Sequence, residues 1–391
     1  MKSKYIFVGI IAFFFLACST KKNTAITRTY HNVTSRYNIY FNGYESYKKG
    51  EKKIEKELKD DYSKLIPVFP YNAEASSVAA GDMDRTIKKS TKVSALHSIT
   101  VKPEIKKGMV QEKDKAFYNK KEYNKWMDDC YFLIGKSHFS KGDFDLAIKT
   151  FRFVLNEYKD ETAINETQLW LARSLVSNDE ALEAIEGLKK INIEEYPRKL
   201  HGLYYAVYAS AFISIKKYDD AIVMLDRALK LSRQKKTKIR YTFLLAQLYE
   251  ITKQEDKAYE YYTKVIKMNP PYEKAFNAII NRASVISGEQ DDREIRQQFL
   301  KMINDAKNKE YLDQIYFAIG NIDLKQNKKD DAIINYKKSA QVSISNDKQK
   351  TKSFITLADL YYPQVLYHDL ALSEFFLPLG HSVETVFSSH I

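Results

Sequence analysis

The sequence predicts an all-α fold built from repeated helix hairpins, and three features of the chain indicate it. Glycine and proline are scarce, at 12 and 8 of 391 residues, whereas a β-rich chain needs more of both at its turns. The 29 tyrosines and 21 phenylalanines supply ample apolar surface to bury. Small residues also recur every 37 residues along much of the chain, which is typical of an array of similar units.

The 37-residue register is defined by three sets of side chains. The first set consists of small residues: Gly135, Ala172, Ala209, Ala246, Ala283 and Gly320. Twelve positions later stands a second, mainly small set: Ala147, Ala184, Ala221, Ala258, Ile295 and Ala332. Four positions further on stands a large apolar set: Phe151, Leu188, Leu225, Tyr262, Phe299 and Tyr336. Each unit therefore reads as two amphipathic helices, and the small residue on the first lets the second approach closely.

The fourth unit resembles the tetratricopeptide repeat, since it carries that pattern at Leu245-Ala246, Tyr249, Ala258, Tyr262 and Pro270. The resemblance implies a superhelical solenoid of helix hairpins. The usual period of that family is about 34 residues, so units of 37 residues hold three more each. We assign six such repeats to residues 128–345. The fifth is divergent, with Arg282 and Ile295 at positions where an apolar residue and alanine are usual.

The N-terminus has the layout of a secretory signal. Lys2 and Lys4 precede an apolar run that is followed by Leu16-Ala17-Cys18. This resembles a bacterial lipobox, which implies a lipoprotein signal peptide over residues 1–17 and lipidation of Cys18. An ordinary signal peptide with an incidental cysteine is the alternative. Because Ser19 follows the cysteine, we expect an outer-membrane lipoprotein of the cell envelope that faces the periplasm.

The regions outside the repeats are less regular. Residues 18–127 are predicted to be helix and loop, with a charged helix over residues 112–129. An aromatic stripe at helical spacing is predicted to pack on the first repeats: Tyr37, Tyr40, Phe41, Tyr44 and Tyr47. Residues 346–391 are predicted to be an incomplete seventh repeat and an aberrant tail. Residues 363–391 contain no lysine or arginine, and our hypothesis is that a longer array is cut short there.

The chain carries no motif that indicates catalysis. CxxC, HExxH, GxSxG and GxGxxG are absent from the sequence. Gly135-Lys136-Ser137 resembles the end of a phosphate-binding loop, but Cys130 stands where that loop needs its first glycine. We therefore predict no enzyme, no metal site, no cofactor and no small-molecule substrate. The net charge of +13 is spread over the predicted helices, so nucleic acid is not an expected partner.

Partner proteins are expected to contact the first helices of the units. One position after each small residue stands a polar row: Lys136, Arg173, Ser210, Gln247, Ser284 and Asn321. Three positions before each small residue stands an apolar row: Phe132, Leu169, Ala206, Phe243, Ile280 and Phe317. Together the rows suit an extended peptide or a partner helix. Packing between neighbouring units is the alternative explanation of the apolar row.

Two segments add a more specific resemblance. With the lipobox, "RTYHNVTSRYNIYFNGYESYKKG" and "YNKWMDDCYFLIGKSHFSKGDFDLAIKTFRFVLNEY" resemble the SprE/PorW-type lipoproteins of gliding motility and type IX secretion. The resemblance implies an outer-membrane lipoprotein without catalytic residues, which helps the secretion machinery assemble or couple to its inner-membrane motor. A SusD-like glycan-binding lipoprotein, a general envelope-assembly adaptor and an envelope enzyme are the alternatives.

Overall fold

The structure is a computed structural model that describes residues 19–104, 115–158, 164–285 and 289–361. Every regular element in these ranges is helical. The chain divides into two compact units, residues 1–244 and 245–391. The predicted lipidation site Cys18 and the predicted aberrant tail lie outside the described residues.

The first unit begins with a continuous helical segment. Helix α1 spans Ala25–Thr34, a π-helical turn spans Ser35–Tyr40, and α2 spans Phe41–Glu57. The side chain of Thr24 accepts a hydrogen bond from the backbone N–H of Thr27, and Thr27 reciprocates. This capping box satisfies N–H groups that the first helical turn leaves without partners.

Three further helices and one irregular segment precede the repeats. Helices α3 and α4 span Ala73–Val78 and Ala80–His97, and α4 packs against α2. Helix α5 is a single turn, Lys115–Tyr118. Residues 58–71, which we call the linking segment, join α2 to α3 without regular secondary structure.

Helix hairpins follow along the rest of the first unit. They are α6 (Met127–Lys141) with α7 (Phe144–Glu157), α8 (Ile164–Ser177) with α9 (Ala181–Lys189), and α10 (Arg198–Ser214) with α11 (Tyr218–Leu231). Helix α12, Lys235–Ile251, begins in the first unit and ends in the second.

The second unit continues with helices of similar length. They are α13 (Glu255–Lys267), α14 (Tyr272–Ser284), α15 (Glu289–Ile303), α16 (Leu312–Lys325), α17 (Lys329–Val342) and α18 (Asp347–Tyr361). Within α18, Leu357 and Ala358 are buried. No helix in the described ranges has the length and apolar character that a bilayer span requires.

The predicted register is confirmed by the positions of its small residues. The first set lies within the first helices and the second set within the second helices of the hairpins. All members of the second set are fully buried or nearly so. The fold is therefore all-α, with tetratricopeptide-type helix hairpins at a period of 37 residues.

A second register, in the backbone, coincides with the first. Five residues with positive φ stand one or two positions after the ends of first helices and are again spaced by multiples of 37: Gly142, Asp179, Lys216, Lys253 and Asn327. After each of them, the next backbone N–H bonds to a carbonyl five residues back, as Lys217 N–H does to Phe212 O at 2.9 Å. This is the Schellman arrangement, which satisfies the last carbonyl groups of a helix. The hairpin turn is thus a repeated backbone structure made from different residue types.

Two predictions for the N-terminal region are wrong in part. Only Tyr47 of the aromatic stripe is buried and Tyr40 is half-buried, whereas Tyr37, Phe41 and Tyr44 are exposed. The buried side of this segment runs instead through Ile39, Gly43 and Tyr47.

The predicted charged helix over residues 112–129 is reduced, in its described part, to α5 and the start of α6. Between them, the carboxylate of Glu122 accepts backbone N–H bonds from Ile99, Tyr123 and Asn124 at 2.7–2.9 Å. These bonds to a side chain replace helical bonds.

Candidate partner-binding face of the first helices

In the first unit, the linking segment lies against the first helices. The guanidinium of Arg240 on α12 donates two hydrogen bonds to the carboxylate of Asp60, at 2.6 and 2.8 Å, and a third to Pro67 O at 2.9 Å. Each of the paired side chains is only 12% exposed. The ring of Tyr62 meets Phe243 edge-on, with centroids 5.3 Å apart. An ion pair, in which Nη2 of Arg240 donates to both oxygens of Asp60, and an aromatic contact therefore hold an extended piece of the chain.

Arg173, a member of the predicted polar row, is enclosed by aromatic rings. Its guanidinium carbon lies 4.2 Å from the ring centre of Phe69, 4.5 Å from that of Phe139 and 4.6 Å from that of Trp170. Burial lowers the pKa of Arg173 to about 10, so the group remains charged at neutral pH. The ring faces stabilise the cation, and Phe69 of the linking segment contributes one of them.

Lys136 occupies a similar position one hairpin earlier. Its Nζ lies 4.7 Å from the ring centre of Trp170 and 5.0 Å from that of Tyr47. Burial lowers the pKa of Lys136, and the carboxylates of Glu166 and Glu51 oppose that shift. Since Tyr47 and Glu51 belong to α2, this helix covers part of the same face.

In the second unit, the predicted row lies beside a hydrogen-bond network. The carboxylate of Glu250 accepts bonds from Tyr262 Oη at 2.7 Å and from Ser284 Oγ at 3.0 Å. Tyr336 Oη donates to Asn321 Oδ1 at 2.7 Å. Burial raises the pKa of Tyr262, and Glu250 adds to the rise, so this phenol keeps its proton and acts as a donor.

The structure divides the predicted partner-binding residues by exposure. Phe243, Phe317 and Gln247 are buried, and Ser284 is exposed. The others are half-buried: Phe132, Lys136, Arg173, Ser210 and Asn321. Whether a partner protein contacts these residues stays a prediction.

Sequence reasoning missed Asp60, Tyr62 and Phe69, although they contact residues of the first helices. The sequence signal for these contacts was weak. Pro67 and Pro70 indicate that the chain is extended there, but they do not indicate which residues it contacts.

A buried histidine pair lies on α1 and α4. Nδ1 of His31 is 2.8 Å from Nδ1 of His97, so one ring donates and the other accepts. Burial lowers the pKa of both, to about 4 for His97. No group of three or more metal-ligating side chains occurs within the described part of the chain.

Two segments of the sequence match the family model of the tetratricopeptide repeat, residues 128–156 and residues 239–272. The first of them spans the α6–α7 hairpin and the second spans most of α12 with α13. The comparison with curated proteins finds no match.

Several solved structures resemble the chain at low identity. A tetratricopeptide repeat protein from Parabacteroides merdae is 15% identical over 71% of this chain and 94% of its own, with a TM-score of 0.38. The C-terminal part of a repeat-containing protein from Cytophaga hutchinsonii is 15% identical over 72% of this chain and 99% of its own, with a TM-score of 0.46. The apo form of the quorum sensor NprR from B. thuringiensis is 14% identical over 82% and 88%, with a TM-score of 0.42.

The hairpins and their register define a helical-repeat protein. More particularly, the repeats are tetratricopeptide repeats at the two matched segments. Repeats of this type serve as scaffolds for protein partners, and the match indicates no catalytic family.

Proposed function

We propose that this protein is a lipid-anchored scaffold of the bacterial cell envelope whose repeats bind protein components of the type IX secretion and gliding-motility machinery. Three features support the proposal: the tetratricopeptide repeats, the lipobox-like sequence that ends at Cys18, and the resemblance of two N-terminal segments to the SprE/PorW-type lipoproteins. Lipid on Cys18 would hold the chain at the outer membrane.

One observation carries the binding role. The first helices of the first unit already hold an extended segment of their own chain, through Arg240 with Asp60 and through Arg173 with Phe69. The linking segment is thus an internal example of peptide recognition by this face, with a carboxylate and an aromatic ring as its anchors. An extended segment of a partner protein that carries a carboxylate and an aromatic ring would suit the same face of the first helices.

In the second unit, the partner would meet polar groups of α14 and α16. Ser284 is exposed, and its backbone carbonyl accepts a hydrogen bond from Lys325 Nζ at 2.5 Å. Glu250 adds a carboxylate beside Ser284. These groups give a partner both acidic and basic contacts at one place, which favours a specific orientation over tight binding.

The experiment is capture of the membrane-anchored protein from a strain in which the gene is deleted and then restored. We expect the wild type to recover components of the secretion machinery. Ser284→Arg should lose them, whereas Ile334→Arg, a matched change at an exposed position on the second helix α17, should retain them. If the wild type recovers no component, and secretion in the deletion strain is normal, the proposal is wrong. Calorimetric binding of an oligosaccharide would favour the SusD-like alternative.

Anchoring is tested separately with Cys18→Ser. We expect this variant to lose incorporation of labelled fatty acid and to associate with the membrane fraction much more weakly than the wild type does. Unchanged membrane association together with absence of fatty acid from the wild type would contradict lipidation.

A further inference from the structure

We propose that one side of the α1–α2 segment contacts the surface of an anionic phospholipid membrane directly. We call this side the apolar face, and it consists of Ile26, Val33, Tyr37 and Phe41. The inference goes beyond the proposed function, which needs only a lipid on Cys18, and it concerns side chains rather than the anchor.

The apolar face is turned away from the protein interior. Its four side chains are between 50% and 59% exposed. The opposite side of the same helical segment is buried at Thr27, His31, Ser35, Ile39 and Gly43. Four large apolar side chains on one helical stripe, with no cover among the described residues, mark a contact site rather than scattered surface residues.

The π-helical turn aligns the stripe. In an α-helix of 3.6 residues per turn, residues four apart are displaced by about 40° around the axis. Val33, Tyr37 and Phe41 are four apart, so they would drift around a regular helix. The wider turn at Ser35–Tyr40 takes up more residues per turn and keeps them on one side. Such π turns occur frequently at functional sites.

Charge favours a lipid surface as the occupant. Residues 25–44 contain Arg28 and Arg36 but no aspartate or glutamate. The guanidinium of Arg36 lies 4.9 Å from the ring centre of Tyr37. Lys48 lies beside the ring of Tyr44 but is paired with Glu45, so the two arginines carry the net charge of this stretch. Aromatic rings beside cations are typical of helices that lie in the headgroup region of a bilayer.

The size of the apolar face agrees with this choice. Its exposed side chains amount to an area on the order of 400 Å², about half of what each partner buries in a standard protein interface. The face begins at residue 26, eight positions after the predicted lipidation site. A lipid on Cys18 would therefore bring the face to the bilayer.

The experiment is a quenching scan along the helix. Single cysteines are introduced into the full chain carrying Cys18→Ser and are labelled with an environment-sensitive dye. Cys130 is buried, and burial raises the pKa of its thiol, so it stays unlabelled. The labelled variants are Val33→Cys, Tyr37→Cys and Phe41→Cys on the apolar face. Matched controls are Asn38→Cys and Asn42→Cys, which are exposed on the same segment but beside the face.

The labelled proteins are mixed with vesicles of phosphatidylethanolamine and phosphatidylglycerol that carry nitroxide acyl chains. We expect quenching at positions 33, 37 and 41 to exceed that at 38 and 42 by about twofold or more. Equal quenching at all five positions would mean that the apolar face lies no deeper in the bilayer than its neighbours, and it would overturn the proposal. Absence of quenching at all five would overturn it as well.

A binding measurement complements the scan. In the same full chain, Tyr37→Glu with Phe41→Glu should weaken sedimentation with these vesicles several-fold, whereas two exposed changes elsewhere, Leu182→Glu with Val223→Glu, should not. Equal sedimentation of both double variants would contradict the proposal. Because no secretion component is present, failure of partner capture in cells leaves this result unaffected.

Discussion

A Cβ atom on Gly135 would lie 2.5 Å from Cε1 of Phe151. The ring of the second helix therefore rests on the bare backbone of the first. The same relationship recurs in the second unit, where a Cβ on Gly320 would lie 2.8 Å from Cε1 of Tyr336. Both rings are fully buried, so neither can move aside into solvent.

Gly135→Ala should destabilise the first unit. Alanine gains about 1 kcal/mol over glycine in helix propensity, but overpacking against a fixed ring costs about 1–3 kcal/mol, so we expect a net loss of about 1 kcal/mol. Urea unfolding measures it. Gly187→Ala is the control, since nothing lies within 4 Å of its Cβ position, and it should stabilise by up to about 1 kcal/mol. Equal effects at the two sites would show that the ring contact does not matter.

Lys216→Gly should stabilise the chain. Lys216 has φ of 58°, a conformation that costs a residue with a side chain about 1 kcal/mol. Glycine adopts it freely but loses more entropy on folding, so we expect a gain of about 0.5 kcal/mol in the free energy of unfolding. Lys217→Gly, one residue later at φ of −85°, should give no gain. A gain at both positions would refute the turn as its cause.

The Asp60–Arg240 pair should be strongly coupled. Removing one partner leaves the other charge largely buried, so Asp60→Asn should cost about 3 kcal/mol, and a double-mutant cycle with Arg240→Gln should give a coupling of about 1–3 kcal/mol. The cycle for Arg152 and Glu183, whose side chains are 46% and 52% exposed, should give below about 0.5 kcal/mol. Similar coupling in the two cycles would contradict this account.

Trypsin should also cut the Asp60→Asn variant faster after Lys64, because the linking segment is then held less firmly.

Tyr262→Phe should cost more than Tyr336→Phe. The Tyr262 hydroxyl donates to the carboxylate of Glu250, whereas the Tyr336 hydroxyl donates to the amide oxygen of Asn321, both at 2.7 Å. Bonds to a charged acceptor contribute about 1.5–3 kcal/mol and neutral ones about 1 kcal/mol. Thermal unfolding of the two variants compares them. The reverse order would mean that solvent screens Glu250.

The histidine pair should make stability fall in mild acid. Burial holds the pKa of His97 at about 4, below the 6.5 of an unfolded histidine. The unfolded chain therefore takes up the proton first, and stability is lost as pH falls from about 6.5 towards 4. Between pH 7.5 and 5.0, we expect the wild type to lose about 2 kcal/mol more than His97→Gln does, measured by urea unfolding. If both proteins lost the same stability, a lowered pKa of His97 would not be the cause of the loss.

The sequence determined the hairpins because their contacts are local. Gly135 and Phe151 are sixteen positions apart, and the period repeats their chemistry often enough to identify it. The backbone register of the turns was not predictable from residue types, since Gly142, Asp179 and Lys216 share a conformation but no chemistry. Main-chain hydrogen bonds define the register of the turns. A residue with a side chain can adopt the required positive φ at a modest cost in free energy.

The contacts between the linking segment and the first helices could not be predicted, for a different reason. Asp60 and Arg240 are 180 positions apart, and no periodic pattern connects them. The exposure of Tyr37 and Phe41 was missed because helical spacing shows that residues share a side of a helix, but not which side packs on the protein. Spacing alone therefore gave the wrong side of the helix.

The bond between Asp60 and Arg240 also bears on how the first unit comes apart. In a plain repeat array each unit touches only its neighbours, so the ends can fray one hairpin at a time. Here the Asp60–Arg240 ion pair acts as a clasp that joins the segment after α2 to the last helix of the unit, and it closes the hairpins between them into a loop. Loss of any of these hairpins must first open that clasp, which favours their loss in a single step. Assembly should be correspondingly slow, because the clasp closes only after distant parts of the chain have met.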